Sequence, residues 1–260
     1  MTAREIVHGL WIGPRLSTME RLSIRSFLQN GHPYHLYVYD PVEGVPAGAT
    51  IRPADEILPR ERIFKYREHD SYAGFANLFA YKVLLEQGGY WADCDMICLQ
   101  PLDTAAPYVF PAERARDGPF LINNCLMKVP VGCEMMRRAY ETAAVKDITR
   151  LRWQETGPRL ISRLVDDLPL HEYVSPPSIF CPIDFWRWYE AISGKLLRRL
   201  AVRLKMARGA RGVHLWNEMW RRNNADKDRT YPPQSLYERL KRRYLRDTLI
   251  VTRSEGGPRE

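Results

Sequence analysis

Gly88-Gly89-Tyr90-Trp91-Ala92-Asp93-Cys94-Asp95-Met96-Ile97-Cys98-Leu99 is the stretch whose reading decides the fold. Two adjacent glycines after a long apolar-periodic run stop a helix, because glycine takes the left-handed cap conformation at little cost. The residues that follow are aromatic and apolar, the composition of a buried strand. Two carboxylates interrupt it. Residues two apart on a strand share a face, so Asp93 and Asp95 are expected to point one way and Ala92, Cys94 and Met96 the other. Like charges on one face of a buried strand repel and are costly to desolvate. A divalent cation removes both penalties, and Mg2+ or Mn2+ takes carboxylate oxygens while sharing its other positions with phosphates. A second Asp-x-Asp, Asp226-Lys227-Asp228, sits among charges and prolines and reads as solvated loop.

Upstream of the glycines, Phe75, Leu78, Phe79, Val83 and Leu85 have the spacing of a buried helical stripe, with Asp70 or Ser71 as its cap. Earlier still, Ile6 to Gly13 reads as a buried first strand entering a Gly13-Pro14 turn. Ser17 caps a helix through Leu28, which Asn30-Gly31-His32 ends. Tyr34 to Asp40 alternates as a second strand, and proline-rich turns around Pro41, Pro46 and Pro53 follow. Strand, helix, strand is a parallel βαβ unit, so the chain reads as α/β with a mixed, mostly parallel central sheet and C-terminal helical elements. Ligands of such sheets sit at the carboxyl ends of strands, where Trp11 offers a flat stacking partner for a base. His8 reads as a core histidine.

Downstream, Pro101-Leu102-Asp103 is a turn, and Pro119 to Met127 a strand interrupted by Asn123 and Asn124, amides that need partners. A helix spans Gly132 to Ala144. Thr156-Gly157-Pro158 opens another through Leu164, with Thr156 as cap. Between Arg187 and Arg211, Lys195, Arg198, Arg199, Arg203, Lys205 and Arg208 interleave with Leu196, Leu197, Leu200 and Leu204. On a helix the leucines fall on one face and most cations on the other. Two readings stand: an element lying in a membrane interface, or a packed helix with a solvated basic face. A short strand then carries His214 to a turn beside Trp216 and Asn217. Tyr231-Pro232-Pro233 starts a basic terminal helix, and the tail Ser254 to Glu260 should fray.

The chain has 260 residues, enough for one domain or a domain with an appendage. No apolar run reaches the roughly 18 residues of a spanning helix. The start, Met1 to Glu5, lacks a signal-peptide pattern. The five cysteines, at 94, 98, 125, 133 and 181, form no CxxC pair; neither a zinc site nor a disulfide framework is expected, and a reducing cytoplasm is the natural home. The formal charge of +8 favours polyanionic partners. With no repeat and no zinc-finger or RNP motif, nucleic acid is not expected among them.

Phe75-Ala76-Asn77-Leu78-Phe79-Ala80-Tyr81-Lys82 through Gly88-Gly89-Tyr90-Trp91-Ala92-Asp93-Cys94-Asp95 resembles the signature of the sugar-binding DxD glycosyltransferases. These include capsular and lipopolysaccharide glycosyltransferases, enzymes making α-1,4-linked sugars and, distantly, the clostridial glucosylating toxins. The resemblance implies a GT-A fold, a nucleotide-sugar donor (UDP-sugar favoured, GDP-sugar second), a Mn2+ or Mg2+ ion and retention at the anomeric carbon. It implies that Asp95 holds the ion directly, while Asp93 bonds the ribose or donor sugar or reaches the ion through water. His8-Gly9-Leu10-Trp11-Ile12-Gly13 matches the family's His-x-x-Trp-x-Gly segment, which implies uracil stacked on Trp11. The family places Asn near the donor sugar and acceptor, which favours Asn124, with Asn123 second. Its late His-x-Trp segment puts His214 on the metal or diphosphate, with Asn217 able to do the same; Trp91 and Trp216 complete the nucleotide-sugar site. Asn77 and Ala80 stand where members usually carry Asp and Arg, so no sugar preference transfers.

The implied acceptor is a glycan or lipid-linked saccharide of cell-surface polysaccharide synthesis. The implied location is cytoplasmic, peripheral on the inner membrane face if the basic segment binds anionic lipid. Residues 1–185 would be the catalytic core, 186–211 the basic segment and 212–260 the part completing the metal site. Three rivals compete: a degenerate, donor-binding transferase; a basic nucleic-acid module; and a DxD phosphatase of the haloacid-dehalogenase type. The phosphatase wants an apolar strand before its first Asp and Thr or Val soon after, whereas Gly88-Gly89 precedes and Met96-Ile97 follows.

Overall fold

A computed structural model describes residues 4–102 and 105–246. Asp103 of the expected Pro101–Asp103 turn and the tail from Ser254 to Glu260 lie outside the described residues. The N-terminal half runs β1 (Val7–Trp11), α1 (Thr18–Gln29), β2 (Tyr34–Val38), β3 (Ala49–Pro53), α2 (Ala73–Gln87), β4 (Gly89–Ala92), β5 (Met96–Cys98), β6 (Phe110–Glu113), β7 (Leu121–Ile122) and β8 (Leu126–Val129). There follow α3 (Glu134–Ala144), α4 (Pro158–Asp167), β9 (Val174–Ser175), α5 (Pro177–Phe180), a 3-10 segment (Phe185–Ile192), α6 (Leu196–Ala207), β10 (Gly212–His214), α7 (Asn217–Arg222) and α8 (Leu236–Tyr244).

The expected α/β architecture is present. The central sheet has the order β3-β2-β1-β4-β8, parallel throughout except for β8, which runs antiparallel to β4. The βαβ unit forms as the sequence predicts, and Ser17 caps α1 in a capping box, its N–H donating to Glu20 Oε2 at 2.7 Å. α2 stops at Gly88 (φ +64°) and Gly89 (φ +78°). A Cβ on Gly88 would lie 2.7 Å from the Val131 nitrogen, so the turn into β4 admits only glycine. Under the sheet, Tyr37, Phe75, Phe79 and Trp91 form an aromatic core that α3 and α4 close with Met135, Met136, Leu160 and Ile161.

Several expectations change. Asp93-Cys94-Asp95 is not strand but the turn between β4 and β5, closed by the Met96 N–H on Asp93 O at 2.9 Å. Cys94 therefore does not point away with Ala92; it lines the same cleft as the two carboxylates. The proline-rich stretch after β2 contains an edge strand, β3, ended by Pro53, which suits an edge position. The single strand expected over 119–127 is two: β7 pairs with β6, β8 with β4, and the two asparagines form the corner between sheets. Thr156 does not cap α4; it is buried, and its carbonyl accepts the Tyr81 hydroxyl at 2.7 Å. Asp226-Lys227-Asp228 is loop with both aspartates exposed, as expected, although Asp228 also accepts the Thr18 N–H and hydroxyl, both at 2.7 Å, tying the C-terminal segment to the start of α1.

Candidate active site

The carboxyl ends of β1 and β4 open into a cleft of about 660 Å³. Asp93, Asp95 and His214 form its floor, with one ligand atom from each lying within 4.8 Å of the others. A tight turn, not strand alternation, brings the two carboxylates together. Strand pairing brings the histidine: β10 runs antiparallel to β5 with His214 opposite Met96, and this sets its Nε2 3.2 Å from Asp95 Oδ2. Trp216 follows in the left-handed region (φ +60°), an uncommon conformation for a bulky residue, held by its indole N–H on Ile183 O at 2.7 Å. That reversal aims the Asn217 backbone N–H at Asp95 Oδ2, 2.6 Å away and 122 residues apart in sequence. Asn217 thus serves Asp95 through its main chain. The Trp216 ring lies against His214, centroids 3.9 Å apart.

The electrostatics are those of a floor built for positive charge. Burial, then the facing Asp95, pushes the Asp93 carboxyl up to about 7, opposed by His214 and by the Trp91 indole N–H at 2.9 Å. Burial also opposes ionisation of Asp95, but His214 and the Asn217 N–H outweigh it and hold its carboxyl below the usual range. Burial opposes the charged form of His214 as well; Asp95 overcomes this and keeps the imidazole protonated well above its ordinary value. The proton on His214 offsets the charge of Asp95. Behind it, Cys125 and Cys181 lie with sulfurs 3.9 Å apart, a second potential ligand pair that the cysteine spacing did not announce.

The walls carry the remaining expected residues. Trp11, at the end of β1, faces the cleft with the Lys227 ammonium 5.6 Å from its ring centre. Gly13 is absent from the cleft lining and backs the Trp11 indole, where a Cβ would lie 3.3 Å from Nε1. Trp91 packs in the core, yet also lines the cleft and donates its indole N–H to Asp93. Asn77 on α2 accepts the Asn124 side-chain N–H at 2.5 Å, and Gly157 makes room for the pair. Asn123 is an anchor: its oxygen takes the Cys125 N–H at 2.6 Å and its amide bonds Glu113.

Glu113, at the end of β6, escaped the sequence reading. It is buried, lines the cleft beside the asparagines, and burial pushes its carboxyl to about 7. The available signal was a lone glutamate closing the apolar run Phe110-Pro111-Ala112. Also missed is an aromatic rim, where Tyr66 and Trp153 meet at 5.1 Å and Arg222 stacks 4.7 Å from the Trp153 ring.

No protein-family profile matches this chain, and no curated protein does. Among solved structures it is similar to PaToxG glycosyltransferase, at 13% identity over 95% of this chain and 87% of that one, TM-score 0.45. The ligand-free glycosyltransferase domain of the YGT toxin matches at 8% identity over 78% and 88%, TM-score 0.47. A transferase with two cysteine-to-serine substitutions matches at 13% over 66% and 88%, TM-score 0.38.

Proposed function

We propose that the chain is a metal-dependent glycosyltransferase that moves a sugar from a nucleotide-sugar donor, a UDP-sugar in the first instance, to a glycan or lipid-linked acceptor. One observation carries this reading: a half-buried and a buried carboxylate, Asp93 and Asp95, converge with an imidazole at the floor of a cleft that also presents an indole and paired amides. Two carboxylates and a histidine suit Mn2+, or Mg2+ with fewer protein ligands, and buried like charges this close favour a cation between them. Asp95 and His214 would hold the ion, with Asp93 completing the set or bonding the donor. When bound, such an ion neutralises charge gathering on the diphosphate as the sugar–phosphate bond breaks.

The chain's own groups supply the rest. Trp11 stacks the base. The Asn77–Asn124 pair offers amides to sugar hydroxyls. Arg221 and Arg222, at the end of α7, and Lys227 in the loop after it line the wall and attract the diphosphate. With its carboxyl pushed up to about 7, Glu113 can donate a hydrogen bond to the donor sugar in its protonated form, or take a proton from the acceptor in its ionised form. In this reading residues 1–185 are the catalytic core, 212–260 complete the ion site, and the chain works in the cytoplasm on cell-surface polysaccharide.

Thermal shift with UDP- and GDP-sugars, with and without Mn2+, tests the reading. Stabilisation should need sugar nucleotide and ion together and vanish in Asp95→Asn. Asp95→Ala should cost transfer at least about 100-fold. No shift with any nucleotide sugar, together with hydrolysis of an aryl phosphate, would replace it with the phosphatase reading. A donor-binding chain without turnover is the second reading, favoured by Asn77 being bonded to Asn124; a shift without transfer would select it.

A further inference from the structure

α6 is packed inside out. Its twelve residues bury only Val202, while Leu196, Leu197, Leu200 and Leu204 are 60%, 81%, 43% and 68% exposed. Helical steps of about 100° place these four leucines in one stripe roughly 100° wide. The side facing the protein carries cations instead. Lys205 reaches the buried Glu190 at 3.2 Å, and Arg198 stacks 4.7 Å from the Tyr189 ring. An ordinary surface helix does the opposite, and contiguous apolar exposure of this kind marks a contact surface.

Charge around the stripe says what covers it. From Ala191 to Asn217 the sequence has seven Lys or Arg and no Asp or Glu. Lys195, Arg203, Arg208 and Arg211 are exposed along or beside the stripe. Leucines flanked by unopposed cations match a surface with an apolar interior and anionic head groups. Among the described residues no helix is long and apolar enough to cross a membrane, so contact would be with the interface.

We propose that α6 lies in the interface of an anionic lipid bilayer, its four leucines among the acyl chains and its flanking cations on head-group phosphates. The helix is coupled to the cleft: Lys205 holds Glu190 of the 3-10 segment, whose first residue, Phe185, lines the cleft wall. A lipid-borne acceptor for the cleft is a consequence that rests on the transferase reading, whereas lipid binding itself does not.

Co-sedimentation of the full chain with phosphatidylcholine vesicles, with and without phosphatidylglycerol, tests it. Binding should require phosphatidylglycerol, weaken with added salt and fall at least about tenfold in Leu197→Glu/Leu204→Glu. Both side chains are exposed, so this variant should melt like the wild type and keep its nucleotide-sugar thermal shift, which separates failure of the membrane face from failure of the active site. No binding to phosphatidylglycerol vesicles, or equal binding by the variant, would overturn the proposal. Leucine-dependent dimerisation in lipid-free solution would overturn it in favour of a second copy of the chain.

Discussion

Replacing Glu113 by glutamine should stabilise the protein above neutral pH and leave it unchanged in acid. Glu113 Oε2 accepts a hydrogen bond from the Asn123 amide, and a glutamine carbonyl can keep that bond, so only the charge is lost. Burial moves the carboxyl from its ordinary 4.5 to about 7. Between those values the folded protein retains a proton that the unfolded chain has released, so stability falls as pH rises through this window. The span corresponds to about 3 kcal/mol lost by pH 8, at about 1.4 kcal/mol per pH unit. Glutamine escapes that loss, which in a chain of this size is a rise of roughly 6 °C or more in Tm. Urea unfolding of both proteins from pH 4 to pH 8 measures it. His8 acts with the opposite sign: burial and then His35 lower it from 6.5 to about 4, so its contribution grows as pH rises. It is common to both proteins and cancels in their difference. A difference curve that is flat, or falls with pH, would refute a buried, strained Glu113 carboxylate. Loss of activity in the stabilised variant would place the cost at the donor or acceptor.

Other outcomes follow from the same geometry. Gly157→Ala puts a Cβ 2.9 Å from Asn77 Nδ2 and should cost about 1–3 kcal/mol; an unchanged urea midpoint would show that the amide pair shifts freely. Mn2+ affinity should rise with pH through neutrality, because Asp93 and His214 must each lose a proton to bind; calorimetry showing pH-independent affinity would contradict this. Trp11→Ala should weaken nucleotide binding about tenfold or more, by loss of stacking, and an unaltered Kd would move the base elsewhere.

The chain's α/β order was legible because its signals are local. Ser17 and Glu20 make a capping box within four residues, and Gly88-Gly89 requires positive φ wherever the chain goes next. The Asp pair and His214 were legible as residue types, but not the way they meet. The sequence suggested two carboxylates on one strand face; a turn and the β5–β10 pairing assemble them instead. Glu113 was invisible because its character comes from Asn123 and from burial against another sheet. The direction α6 faces was equally hidden. Helical periodicity separates leucines from cations but does not say which side the fold will cover, and here Glu190 and Tyr189 draw the cations inward.

The β5–β10 pairing also dictates when the site comes into being. Until β10 and the start of α7 pack against it, the Asp93–Asp95 turn lacks the imidazole and the Asn217 main-chain N–H that offset the repulsion of its carboxylates. On the ribosome the half-made floor is thus a locus of frustration. Pairing of β10 with β5 and the reversal into α7 supply both groups and relieve that frustration.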